Sequence, residues 1–134
     1  MINILEEILA LKSPRVEQAK ANCDFAELKA KAHKIRASAK PFALSSALNN
    51  SGQINIIAEI KRASPSKGII NDKIDVGEIA LAYERGGAAA ISVLTEEDRF
   101  QGSLEDLRTV RKHVSLPILR KDFIFDEFQV YEAA

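Results

Sequence analysis

A chain of 134 residues with 46% apolar and 28% charged side chains has the length and balance of one folded domain, not of a disordered segment. Its 19 basic and 19 acidic side chains cancel, so no global field favours nucleic acid or an anionic membrane surface. The single cysteine, Cys23, excludes an internal disulfide and fits a reducing compartment. No apolar run approaches the ~20 residues of a membrane span, and the acidic start MINILEEILALK lacks the basic segment and cleavage site of a secretory signal, so a cytoplasmic location is expected.

Residues 1–50 read as helical. Ile2, Leu5, Ile8 and Leu9 share one face, and Asn3 followed by Glu6 suits a capping box. RVEQAKANCDFAELKAKAHKI continues in the same way, with Lys and Glu outward. SAKPFALSSALNNSGQ then breaks the helical pattern at Pro41 and ends in turn residues. No linker or low-complexity segment stands out.

From residue 53 the rhythm becomes strand, loop, helix, repeated. INIIAEIK, AAAISVLTE and LPILRKDFIF are strand-like. Asp75 and Glu78 mark the start of a first intervening helix, with Ile79 and Tyr83 toward the core and Gly86-Gly87 as its stop. Ser103 is the expected N-cap of a second, with Leu104, Leu107 and Val110 on one face, and DEFQVYEAA begins a third. Strands alternating with helices predict right-handed βαβ units and a parallel sheet. A parallel sheet of three strands leaves two open edges, and an eight-stranded barrel needs about 250 residues, so the chain reads as the front part of something larger.

Strand alternation puts Ile57, Glu59 and Lys61 on one face of the first strand and Leu119, Lys121 and Phe123 on one face of the third. If those faces point into a barrel, Glu59, Lys61 and Lys121 converge at the strands' C-terminal ends, where barrel enzymes place their active sites. Solvated charges at strand ends are the competing explanation. Two ammonium groups beside one carboxylate suit a proton donor paired with an anion clamp, for a small anionic substrate whose carbonyl must be activated. The loop RASPSKG, with Ser64, Ser66, Pro65 and Gly68, reads either as a flexible substrate cover or as an ordinary basic surface loop. Phe100, in the long connection TEEDRFQGS, either stacks on a ligand ring or anchors its own loop. His33, His113 and Cys23 have no partners at metal-ligand spacing, so no metal is proposed, and no GxGxxG or phosphate-loop motif occurs.

IIAEIKRASPSKGII, ISVLTEEDRFQGSLEDL and LPILRKDFIFDEFQVYEA together resemble the indole-3-glycerol-phosphate synthase family, a TIM-barrel family of tryptophan biosynthesis whose members also carry a helical N-terminal extension. The resemblance implies a helical extension over 1–50 followed over 51–134 by the first three βα units of an incomplete (βα)8 barrel. It implies a carboxy-lyase that ring-closes 1-(2-carboxyphenylamino)-1-deoxyribulose 5-phosphate with loss of carbon dioxide and water, without cofactor or metal. By the same resemblance Lys121 is the general acid on the ribulose carbonyl, Glu59 assists proton transfer, and Lys61 binds the substrate's anionic groups. Ser64, Phe100 and Phe123 contact substrate, the aromatics lining the anthranilate pocket.

In that family a second catalytic glutamate and the main phosphate-binding loops lie on later strands, so an isolated chain of this length is expected to be an inactive, truncated fragment. The expected partner is a small phosphorylated molecule, with neither nucleic acid nor membrane. Self-association through the open sheet edges is a further expectation. The alternatives are a non-catalytic, self-associating half-barrel or another phosphate-binding barrel such as phosphoribosylanthranilate isomerase. The AEIKRASPSKG and LRKDF pair discriminates against the isomerase.

Overall fold

The computed structural model describes residues 3–134, so Ile2 lies outside the described residues. In chain order the elements are α1 (Ile4–Ala21), α2 (Phe25–Ser38), α3 (Ala43–Leu48), β1 (Ile57–Ile60), β2 (Ala63–Ser64), β3 (Gly68–Ile69), α4 (Val76–Arg85), β4 (Ala90–Leu94), α5 (Leu104–His113), β5 (Ile118–Lys121) and α6 (Glu127–Glu132). They form two compact units, one of residues up to Pro41 together with Phe123–Ala134, the other of Phe42–Asp122. No helix among the described residues is long and apolar enough to cross a membrane.

The first unit is helical. The expected capping box forms: the Asn3 side chain accepts the Glu6 N–H at 2.9 Å, and the Asn3 N–H donates to the Glu6 carboxylate at 3.1 Å. The buried row of α1 is Ile8, Lys12 and Val16, one turn apart, whereas Leu5 in the first turn stays about half exposed. The helix expected to run from Arg15 onward is broken at Asn22-Cys23-Asp24. The Asp24 carboxylate accepts the Glu27 N–H at 3.0 Å, and satisfying that orphan donor starts a new helix, α2. Around Phe25 an aromatic cluster ties α2 to α6, with ring centroids 6.1 Å from Phe128 and 5.6 Å from Tyr131.

Lys20 pairs with Asp126, the N-cap of α6, at 2.8 Å. That contact, aided by the Phe128 N–H, holds the Asp126 carboxyl below its ordinary range, and Asp126 in turn raises the Lys20 ammonium. The pair therefore contributes between its two titrations, and is lost as pH falls through the lowered Asp126 value or rises through the raised Lys20 value. In Lys20→Met the Asp126 titration, followed by NMR, is expected to move back toward 3.8. An unmoved titration would assign the whole shift to the Phe128 N–H.

The second unit is mixed α/β around a three-stranded parallel sheet of order β1-β4-β5. Central β4 is buried along its whole length, as a strand covered on both sides by neighbours must be. Ile60, Ile91 and Val93 pack with Val76 and Ala80 of α4 and with Val110 and Val114 at α5. Each of these Ile and Val side chains contributes about 1.5–3 kcal/mol by leaving water. The expected helix signals are all present. Asp75 caps α4 by accepting the Gly77 and Glu78 N–H groups at 2.9 and 3.0 Å, and Ser103 caps α5 by accepting that of Asp106 at 3.0 Å. Past α4, Gly87 takes φ +86°, which a side chain would strain.

In SAKPFALSSALNNSGQ the helical pattern breaks around Pro41 and the stretch ends in turn residues, as expected, with α3 formed between them immediately after Phe42. The strands are shorter than the apolar runs that contain them. The β4–β5 ladder ends where the Thr95 N–H donates to the Lys121 carbonyl at 3.0 Å, and the next residue, Asp122, turns its carboxylate to the Thr95 hydroxyl at 2.7 Å.

Candidate active site at the C-terminal ends of the parallel strands

Register fixes which residues stand together. Glu59, Ser92 and Leu119 form one row across the sheet, Ile60, Val93 and Arg120 form the next, and Leu94 then pairs with Lys121. Because Ile60 and Val93 belong to the helix-packed core, alternation sends Glu59, Lys61, Ser92, Leu94, Leu119 and Lys121 to the opposite face. The three charged residues singled out in the sequence thus share one face at the carboxyl ends of β1 and β5.

Their pairing is unequal. Lys61 Nζ meets Glu59 Oε1 at 2.7 Å, with both side chains about one-third exposed. Lys121 is exposed, and its ammonium makes no ion pair among the described residues. Ser92 is only 3% exposed, and its hydroxyl finds no hydrogen-bond partner among the described residues, so a buried polar atom sits unanswered in the row of Glu59.

The loop after β1 is built, not loose. Ala63–Ser64 pairs antiparallel with Gly68–Ile69, and Gly68 takes φ +63° to close the turn. The Ser64 hydroxyl oxygen accepts the Lys67 N–H at 3.3 Å, and so belongs to that turn. At its base Arg62 grips the Asp106 carboxylate at 2.7 and 3.2 Å and donates to the carbonyls of Asp72 and Ile74 at 3.0 and 3.3 Å. The Asp106 contact raises the Arg62 guanidinium further above its ordinary value.

Phe100 lies in the loop after β4, and its carbonyl accepts the Ala63 N–H at 3.2 Å, which joins the two loops. A residue that motif reading passes over organises this loop. Glu96, wholly buried, accepts the N–H groups of Asp98, Arg99 and Phe100 at 3.0, 2.7 and 3.0 Å. An acid two residues past the end of an apolar strand, four residues before an aromatic, was the available signal. Glu96, Glu97 and Asp98 bring ligand atoms within 4.8 Å of one another, but the Glu96 oxygens are already taken by backbone donors, so no cation is assigned there. Phe123, the remaining sequence candidate, falls in the other compact unit, where its carbonyl accepts from the Gln129 amide at 3.0 Å.

Residues 5–134 match the family model described as Indole-3-glycerol phosphate synthase. The chain belongs to the indole-3-glycerol phosphate synthase family. It is 50% identical over 132 residues to the indole-3-glycerol phosphate synthase of Carboxydothermus hydrogenoformans, covering 96% of this chain and 50% of that protein. The relative from Desulfosudis oleivorans is 50% identical across 100% of this chain and 51% of its own length. That from Rhodococcus opacus is 52% identical across 98% and 48%. The chain therefore spans about half the length of the curated synthases it matches.

Proposed function

We propose that the chain forms the N-terminal part of an indole-3-glycerol-phosphate synthase, the first three βα units of a (βα)8 barrel behind a helical extension. The observation that carries this reading is the shared face of Glu59, Lys61 and Lys121 at the carboxyl ends of parallel strands. The reaction is the decarboxylating ring closure of 1-(2-carboxyphenylamino)-1-deoxyribulose 5-phosphate. Lys121, whose ammonium makes no ion pair among the described residues, donates its proton to the ribulose carbonyl oxygen. The ring carbon that bears the carboxylate attacks the activated carbonyl carbon and forms the new carbon–carbon bond. Carbon dioxide leaves and its electron pair restores the aromatic ring; the new hydroxyl then takes up a second proton and departs as water, and loss of a proton from the adjacent C1 methylene, which balances that second proton, forms the double bond that completes the indole. Lys61, held by Glu59, keeps a fixed positive charge for the substrate's anionic groups, and Glu59 assists proton transfer. Ser64, Phe100 and Phe123 contact substrate, with the aromatics against the anthranilate ring.

A turnover assay that follows indole fluorescence tests this reading. The 134-residue chain alone is expected to be inactive, and the full-length protein active. A full-length protein that leaves the carboxyphenylamino substrate unchanged would sink the assignment. Phe100→Ala in the active protein is expected to raise KM by about tenfold with kcat little changed, because an aromatic face that binds the substrate ring before and during reaction contributes uniform binding. An unaltered KM would remove Phe100 from the site. A second reading rests on β1 and β5 as edge strands: alone, the chain self-associates through them. Sedimentation as a monomer at micromolar concentration would dismiss it. A cytoplasmic location completes the proposal.

A further inference from the structure

We infer that Glu96 is a positioning residue for the substrate pocket, acting through the loop that presents Phe100. This rests on the reading of Phe100 as a substrate contact. Glu96 is wholly buried, yet its side chain is answered by the chain's own backbone: Oε1 accepts the Asp98 N–H at 3.0 Å, and Oε2 accepts those of Arg99 and Phe100 at 2.7 and 3.0 Å. The Glu96 carbonyl accepts the Gly102 N–H at 2.8 Å and so closes the loop from its other end. The segment has little room to relax. Gln101 takes φ +54°, and a Cβ on Gly102 would stand 2.1 Å from the Leu94 carbonyl oxygen. From this clamped turn the Phe100 carbonyl accepts the Ala63 N–H, so the same carboxylate also sets the height of the hairpin that carries Ser64.

Four backbone donors converge on one acidic residue, and a loop held only for packing needs no buried carboxylate to define it. A side chain that must meet a ligand ring at a fixed position does need such definition, since the ordering is then complete before binding. Glu96 touches no substrate in this scheme. It removes the entropy that Phe100 would otherwise lose on binding.

The test is a double-mutant cycle in the full-length enzyme with Glu96→Gln and Phe100→Ala. Glu96→Gln keeps one acceptor oxygen of the same reach but turns an amide group toward the remaining N–H donors. It is expected to raise KM by about fivefold, the worth of one net hydrogen bond, with kcat held within about twofold. Added to Phe100→Ala it is expected to raise KM no further, because its effect passes through that ring. Amide exchange of residues 98–100 is expected to quicken by about tenfold in Glu96→Gln while the strand amides keep their rates. If Phe100→Ala raises KM and Glu96→Gln does not, the positioning role is wrong and the Phe100 contact stands. Fully additive KM effects would equally overturn it. If Phe100→Ala leaves KM alone, the Phe100 reading fails first. Should Glu96→Gln not fold, Glu96→Asp, shorter by one methylene, serves the same cycle with the same criteria.

Discussion

Lys121→Ala is expected to lower kcat of the full-length enzyme by about 10²–10⁴-fold, the range that a positioned general acid supplies. In the 134-residue chain the side chain is exposed and makes no ion pair among the described residues, so in that chain its removal should leave stability within about 0.5 kcal/mol of the parent. That combination, lost turnover with unmoved stability, separates a proton donor from a structural lysine. Lys121→Arg keeps the charge but replaces the ammonium with a guanidinium, which does not give up its proton, so it is expected to restore substrate binding without restoring kcat. Indole fluorescence gives the rate, and urea unfolding gives the stability. A fall in kcat of less than about tenfold would remove Lys121 from the role of acid.

One residue further along, the expected effect reverses in kind. Asp122→Ala should destabilise the fold by about 3–5 kcal/mol, because it strips one partner from a buried charged pair. The Asp122 side chain is 0% exposed and that of Arg120 8%, their charged groups stand 3.2 Å apart, and the Asp122 carboxylate also accepts the Thr95 hydroxyl at 2.7 Å. Without Asp122 the guanidinium loses a buried counter-charge and the Thr95 hydroxyl loses its acceptor. The urea midpoint should fall with the slope unchanged. A loss below about 1 kcal/mol would mean that water reaches the pair and screens it as it would a surface bridge.

These neighbours show what is legible in a sequence of this kind. The motif LRKDF ends a parallel strand, and period-two alternation is enough to place Lys121 on one face with Glu59 and Lys61, because parallel strands repeat their pleat and register carries one strand's faces to the next. Helix starts at Asn3, Asp75 and Ser103 were equally readable, since capping is a local bargain between one side chain and amides within a turn. The break at Asn22–Asp24 was harder to see, because helix periodicity on both sides continues through it. Least legible were Glu96, Ser92 and Asp122. Glu96 answers backbone amides, which leave no mark in composition, and Ser92 looks like any small residue in an apolar strand. Asp122 stands inside a charged run where its burial depends on Thr95, far away along the chain.

The interleaving of the two faces has a consequence for how such a strand tolerates changes of length. A single codon gained or lost within β5 would exchange Lys121 for Arg120 or Asp122 on the open face and drive the lysine among the aliphatic side chains beneath α4 and α5. One such event would take Lys121, the proposed proton donor, off the open face and break the buried pair together. Length variation in this lineage is therefore expected to collect in the hairpin between Ser64 and Gly68 and to spare β5, whereas point substitutions on either face can accumulate independently of the other.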